Sequence, residues 1–456
     1  MNQRYYSLDV FRGATVALMI LVNNPGSWVH IYSPLKHAPW HGLTPTDLVF
    51  PFFLFAVGNA MAFVMPKLEA AGDATFWRKV VKRTLIIFFI GLFLNWWPFV
   101  RWQDDRLLIN AWTWTNSSGA VSGVRILGVL QRIALCYFFA SIIVYYLKAR
   151  GAFLAGLILL LLYWLYCVWT NPIDPYSLAG WAGTDIDKVL LGEVHMYKGE
   201  GIAFDPEGIL STIPAIVQVI FGYLVGDYII KKGKEQTIGN KVQMMDEDTK
   251  MKNNNRQTTN QKRQTTYYGL HKVEAEQEET ESQMEETKNE KQKAGLQTNL
   301  YKIITGLFIV AMAFLFTGYA WGLSFPINKK IWTSSYVALT TGMAIAILAT
   351  LIYAIELKKI RGWWTRFFDV FGKNALFVFA LSAFLPKGLR LIRIPNGVND
   401  KGVAQYISPW NWLYEKVYKF VPGAPEVGSL LFALTVIFFM WAICYWMDKR
   451  RIYIKV

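Results

Sequence analysis

Hydrophobic positions in this chain gather into runs about 20 residues long; they neither alternate nor mark a single helix face. Wound as a helix, a run of that length crosses the roughly 30 Å of a bilayer's hydrocarbon. Ten runs stand out, at about 10–28, 46–66, 84–100, 126–147, 152–170, 209–230, 301–323, 334–356, 365–385 and 427–447. The third is the shortest. Lipid offers no partner to a backbone N–H or C=O, so each run predicts a helix. Period-two alternation is absent, which excludes a β-barrel. The expected class is therefore all-α, a polytopic membrane protein with about ten transmembrane helices. The first run reads as a span and not as a cleaved signal peptide. Asp9 and Arg12 stand at its start, and no A-x-A site follows it.

One stretch breaks the pattern. Residues 232–298 hold twelve Lys or Arg, twelve Asp or Glu and only two aromatics, Tyr267 and Tyr268. Such a segment cannot bury a core, so it reads as a disordered, charged cytoplasmic insert, with a weak helical pattern at 273–293. It divides the chain into a membrane domain at 1–231 carrying six spans and another at 299–456 carrying four. In the loop after the ninth run, Ser408-Pro409 ahead of Trp410-Asn411-Trp412 is a helix-start signal.

Charge orients the spans. With the N-terminus inside, the even loops bring Arg78, Lys79, Lys82 and Arg83, then Lys148 and Arg150, then Lys358, Lys359 and Arg361, to the cytoplasm. The C-terminus adds Lys449, Arg450, Arg451 and Lys455. Positive residues thus favour N-in, C-in. The loop 386–426 dissents with six Lys or Arg, but long loops weigh little in this rule. Composition agrees. Of 456 residues 54% are hydrophobic, 16% aromatic and only 17% charged, with a formal net charge of +15. A soluble nucleic-acid binder would match the charge but not the hydrophobicity, so no nucleic-acid partner is expected. The insert is neutral overall, which leaves the surplus as a basic collar on the cytoplasmic ends. Cys136, Cys167 and Cys444 lie in apolar runs without metal or disulfide spacing, and read as core residues.

Against this background, polar groups inside spans are candidates for function. Asp9 and Arg12 share one face of the first helix, either as an ion pair that orients it or as a binding pair. Asn23 falls near the outer end of that helix, where Pro25 and Gly26 break it and free backbone groups. The following loop carries His30, His37 and His41, three of five histidines. Asp47 opens the second span after Thr44 and Pro45, where it suits both a helix start and a polar site. Arg132 lies inside the fourth span and needs an anion, with Asp47 and Glu207 the candidate protein partners. Lys373, beside Asn374 in the ninth, has Asp369 one turn away. His37 and His41 are four apart, but Pro39 spoils the helical face a zinc pair needs, so no metal is expected. Histidine beside a membrane suits proton transfer. The same residues leave a second reading open, a sugar transporter or channel with Arg132, Asp47 and Asn23 along the path. A scaffold acting through 232–298 is a third.

Several motifs resemble a known family. They are Ser7-Leu8-Asp9-Val10-Phe11-Arg12-Gly13, Val22-Asn23, His37-Ala38-Pro39-Trp40-His41-Gly42-Leu43-Thr44 and Asp47-Leu48-Val49-Phe50-Pro51. Gly128 to Arg132, Phe204 to Leu210, Pro326 to Trp332 and Gly372-Lys373-Asn374 continue the series. Together they resemble the heparan-α-glucosaminide N-acetyltransferase family. The resemblance implies a multi-pass enzyme that takes acetyl-CoA from the cytoplasmic side and acetylates an amino sugar or glycan on the other. It implies His37 as the active histidine and Asn23 as its partner; the polar groups in or beside spans, Asp9, Arg12, Asp47, Arg132 and Asn374, are the substrate- or cofactor-binding candidates. His37 would serve as base and Asn23 as oxyanion donor, or the transfer would run through an acetyl-histidine. The implied setting is a bacterial inner membrane, with His37 on the extracytoplasmic side and an envelope or scavenged amino sugar as acceptor. A homodimer is compatible with this picture.

Overall fold

The structure is a computed structural model that describes residues 5–103, 105–116, 119–233, 270–398 and 404–454, with backbone alone for 270–293. Twelve α-helices are described: α1 (Tyr6–Asn23), α2 (Val49–Ala71), α3 (Asp73–Trp96), α4 (Val129–Thr170), α5 (Gly183–Leu191), α6 (Ile209–Gly233), α7 (Leu270–Gly322), α8 (Ser334–Leu351), α9 (Trp363–Lys373), α10 (Ala375–Leu389), α11 (Pro409–Lys416) and α12 (Pro425–Lys449). The chain is an all-α, multi-pass membrane protein.

Local chemistry sets the helix ends. Pro25 cannot continue α1, which stops at Asn23. Pro45 and the Thr44 cap start a 3₁₀ turn, Pro45–Leu48, that runs into α2. Gly72, at φ 82°, turns the chain from α2 into α3. The expected helix after Ser408 is α11, and the Ser408 side chain accepts from Asn411 N. The three cysteines are buried thiols.

Among the described residues, seven helices are long and apolar enough to cross a membrane, or eight with the bent pair α9–α10. The expected figure of about ten is not reached by that measure, for two physical reasons. The fourth and fifth runs form one 42-residue helix, α4, which breaks at Lys148 where φ is 56°. At 1.5 Å per residue a straight helix of that length would reach about twice the hydrocarbon thickness. The third run lies in α3, whose first turns carry Arg78, Lys79, Lys82 and Arg83 and leave a short apolar remainder. The ninth run is divided: α9 and α10 meet at Asn374 with a bend of 78°. Of the expected insert, 234–269 lies outside the described residues, and 270–298 is the first part of α7.

The loops hold three strand pairs that no alternation announced. They are β1 (Val100–Gln103) with β2 (Arg106–Ile109), β3 (Thr113–Thr115) with β4 (Val121–Gly123), and β5 (Ile394–Val398) with β6 (Ala404–Ile407), all antiparallel. Each strand has three to five residues, too short to give a period-two signal. Arg393 joins two of the hairpins, its guanidinium 4.6 Å from the Trp102 ring and 3.5 Å from the Tyr406 ring.

Two helix crossings are made backbone to backbone. A Cβ on Gly13 would come 1.7 Å from Phe368 O, and one on Gly372 2.4 Å from Asp9 O, so α1 and α9 touch at a reciprocal glycine pair. Gly58 and Gly222 repeat the device between α2 and α6, with Val219 O at 2.0 Å and Phe55 O at 2.2 Å. In lipid, where apolar contact adds little drive, such close approach supplies the packing. The core fills around these crossings with Phe55, Phe76, Phe221, Phe371 and Phe432, all buried.

The short α5 docks through one carboxylate. Asp187 is fully buried, and its Oδ1 accepts from Ile209 N, the first residue of α6, at 2.8 Å. Burial pushes the Asp187 carboxyl up to about 7, the Ile209 amide opposes this and Asp205 adds to it.

Two measurements test these contacts. Gly13→Ala should lower the thermal midpoint of the purified protein, since overpacking costs about 1–3 kcal/mol. An unchanged midpoint would mean that α1 and α9 do not meet there. Asp187 binds its proton more tightly folded than unfolded, so its contribution is present at low pH and is lost as pH rises from 3.8 through about 7. Wild type should therefore lose stability relative to Asp187→Asn over that window, as read from midpoints at matched pH. A gap that is constant with pH would refute the assignment.

Candidate active site

The site is built on Asp47. As the third residue after the Thr44 cap, completing the capping box, it turns its side chain back over the preceding loop. Oδ2 accepts from Thr44 N at 3.0 Å and from Ala38 N at 3.1 Å, while Oδ1 meets His37 Nδ1 at 2.6 Å. The Asp47 side chain is 2% exposed and that of His37 is 45% exposed. An ionised carboxylate can only accept, so Nδ1 is the donor to Asp47, and in the neutral ring the lone pair is then on Nε2. A buried carboxylate that orients a half-open imidazole is the arrangement a general base or nucleophile needs.

A third group comes from far along the chain. Lys329 Nζ lies 3.1 Å from His37 Nδ1, 3.4 Å from Nε2 and 3.6 Å from Asp47 Oδ1. Because the Nδ1 proton is committed to Asp47, the ammonium can donate only to Nε2 or to the carboxylate. Lys329 sits on the turn between α7 and α8. That turn is shaped by Asn328, whose Oδ1 accepts from Lys330 N at 2.7 Å and Ile331 N at 3.1 Å. Burial pulls Lys329 below the usual lysine value, against the opposing charges of Asp47 and Glu207. The next residue ties the loop down: Lys330 Nζ donates to Pro39 O at 2.7 Å and to Glu200 at 2.6 Å.

These side chains open on a cavity of about 350 Å³. Asn23, exposed at the end of α1, lines it with His37, Asp47, Lys329, Lys330, Arg125, Glu200 and Glu207, over an apolar floor of Met19, Phe50, Phe53 and Phe379. Arg125 grips Asp205, with Nε at 3.1 Å and Nη2 at 2.5 Å, and also Glu207, and it stacks on Tyr197 at 4.9 Å. Two carboxylates thus share one guanidinium. Burial would raise Glu207, but Arg125 and then Arg132 outweigh it and hold Glu207 below its ordinary value. Burial lifts Asp205 above its own, against Arg125.

The fold brings Asn23, His37 and Asp47 together and leaves the other expected binding residues elsewhere. Arg132 is fully buried and does not line the cavity. It donates to Gly208 O at 3.2 Å and to the Ser211 hydroxyl, with its guanidinium 5.1 Å from the Trp332 ring. Its expected partners went to other residues: Glu207 to Arg125, Asp47 to His37. Asp9 and Arg12 stand about 20 Å away along α1 at 1.5 Å per residue. They pair at 2.7 Å, and Arg12 Nε donates to Gly372 O at 2.8 Å. Asn374 is buried beside them and holds the C-terminal tail, donating to Ile452 O at 3.2 Å and accepting from Ile454 N at 3.0 Å. Lys373 has the expected Asp369 at 2.7 Å, and Asp448 at 3.1 Å. Lys329, Lys330, Arg125 and Glu200 carried no role in the sequence reading. Two adjacent lysines within the quoted Pro326 to Trp332 motif were the available signal.

No family model matches the chain. Over 275 residues it is 28% identical to the heparan-alpha-glucosaminide N-acetyltransferase of Homo sapiens, an overlap of 50% of this chain and 39% of the human protein. Over 282 residues it is 27% identical to the Mus musculus protein of the same name, 51% of this chain and 40% of that one. The chain thus spans about two-fifths of the length of either relative. Along half of its own length it is similar to heparan-alpha-glucosaminide N-acetyltransferases, the family that its motifs resemble.

Proposed function

We propose that the chain is a transmembrane N-acetyltransferase that moves an acetyl group from acetyl-CoA to the amine of an amino sugar. The observation that carries this reading is the His37–Asp47 pair, with Nε2 open to the cavity and Lys329 against it. As the amine nitrogen bonds to the acetyl carbon and the carbon–sulfur bond breaks, His37 Nε2 takes the amine proton. Asp47 stabilises the imidazolium that results. Lys329 Nζ and the Asn23 amide are the donors available to the carbonyl oxygen as it gains charge. In a route through acetyl-His37, Nε2 is the nucleophile and CoA leaves as its thiolate in the first half; in the second half the amine attacks the acetyl carbon, the acetyl–Nε2 bond breaks and the freed Nε2 takes the amine proton.

The cavity volume is near the lower end of the range for ligand sites, about 300–1,000 Å³. It suits the reacting ends of two substrates and not a whole nucleotide. The acetyl donor is expected from the side of the basic collar, with N-in, C-in topology and His37 facing outward. A bacterial inner membrane is the setting that fits. Arg132 stands off the cavity, so it does not share a path with Asp47 and Asn23 as a transport route would require.

The test uses purified protein, labelled acetyl-CoA and a panel of amino sugars. His37→Ala should abolish product, and Asp47→Asn should lower kcat on the order of 10²–10⁴-fold while changing KM little, the range for a proton-transfer group. Lys329→Met should cost about 10²-fold in kcat, the size of one lost oxyanion donor. Silence of wild type over the whole panel would sink the enzyme reading. Equal product from wild type and His37→Ala would remove His37 from the chemistry.

A further inference from the structure

A second cavity, about 710 Å³, lies beside the first and shares Trp40 and Glu200 with it as a common wall. The transfer chemistry uses none of its other residues. Trp40 is fixed in place. Its Nε1 donates to Tyr176 O at 2.8 Å, its ring lies 5.5 Å from that of Phe204, and the Lys330 ammonium stands 5.6 Å from its centroid. Tyr176 is held as well, its hydroxyl accepting from Trp164 Nε1 at 3.0 Å and its ring 4.9 Å from Phe325. The cavity therefore has rigid aromatic walls before any ligand arrives.

Its charge has one sign. Glu200 is matched by Lys330 at 2.6 Å. Asp174 is exposed and, among the described residues, no lysine or arginine pairs with it. One of its oxygens accepts from the Ser177 hydroxyl at 2.5 Å, which leaves the other for a ligand. Across from it, His41 is pulled below its ordinary value by burial, which the Asp174 charge opposes. Aromatic faces beside an uncompensated carboxylate suit a sugar ring, whose C–H face packs on the ring while its edge presents hydroxyls or an ammonium. A sulfated sugar would meet Asp174 as a like charge.

We propose that this second cavity is a subsite for the neighbouring unit of an oligomeric, unsulfated amino-sugar acceptor, held while the reacting unit occupies the His37 cavity. This rests on the acetyltransferase reading and adds the acceptor's class to it: a glycan of at least two cationic units, not a free monosaccharide. The two volumes fit, since the smaller cavity takes the reacting ends of donor and acceptor and the larger one has room for a further unit of the acceptor.

The test compares KM for glucosamine with KM for its β-1,4-linked dimer and trimer, using the full chain in nanodiscs. The oligomers should have a KM about two- to fivefold lower, the size of one exposed charge pair. That ratio should fall towards one in Asp174→Asn. It should also fall in Ile173→Trp, which places bulk at the mouth on a residue already 95% exposed and so safe for folding. Fully N-acetylated trimer should not compete, and 6-O-sulfated dimer should lose the advantage. Equal KM for monomer and oligomers in wild type, or a ratio unmoved by both variants, would overturn the subsite while leaving the acetyltransferase standing. Calorimetry with the trimer separates the other failure. Tighter binding to wild type than to Asp174→Asn, with no acetylation of any sugar, would keep the subsite and sink the enzyme reading. Equal binding would sink the subsite.

Discussion

One buried carboxylate organises the functional half of this protein. Asp47 has to be desolvated to sit where it does, and an unpaired charge there would be costly. Two backbone amides and the His37 ring offset that cost, and each contact fixes a different piece. The amides of Ala38 and Thr44 close the loop between α1 and α2. The ring contact sets the histidine's tautomer and direction. Through its carbonyl, Asp47 also accepts from the Tyr336 hydroxyl at 2.6 Å, which ties the start of α2 to α8. Loop shape, histidine orientation and helix packing thus depend on the same residue, and they cannot be altered separately.

That economy explains what was legible in the sequence and what was not. Asp47 invited two interpretations, a helix start and a polar site, and the structure makes them one: the carboxylate that completes the capping box is the one that holds His37. Long apolar helices were legible because lipid permits little else. The break at Lys148, the 78° bend at Asn374 and the short hairpins were not, since each depends on tertiary context. Lys329 was hidden for a different reason. It meets His37 across 292 positions of sequence, and local periodicity carries nothing about such a contact. Arg132 misled because a buried cation always asks for an anion, while here a carbonyl, a hydroxyl and an indole face answer instead.

The two ends of the bundle are built on different plans. Around Asn374 nearly every charge has its opposite within reach. Arg12 meets Asp9, Lys373 meets Asp369 and Asp448, and Arg361 meets Glu356 at 2.9 Å, whose other oxygen accepts from Ser7 N at 3.0 Å. That end is stitched shut. Around His37 the charges are arranged about open space, with Lys329, Lys330 and Arg125 facing Asp47, Glu200 and Glu207. Both sets are paired and so rigidify, but around His37 the pairs Lys329–Asp47, Lys330–Glu200 and Arg125–Glu207 line a space that a ligand can enter. Asp9, Arg12 and Asn374 belong to the first set and hold helices and tail together there.

The glycine crossings carry a mechanical consequence. Where two backbones touch, ridges cannot ride over grooves, and sliding one helix by a turn would drive a neighbouring side chain into a carbonyl. The pairs α1–α9 and α2–α6 therefore resist shear. Asn23 belongs to the first pair and Asp47 precedes the second, so the ground on which both stand is stiff. Any motion that reshapes the cavity therefore has to come from elements outside these clamps.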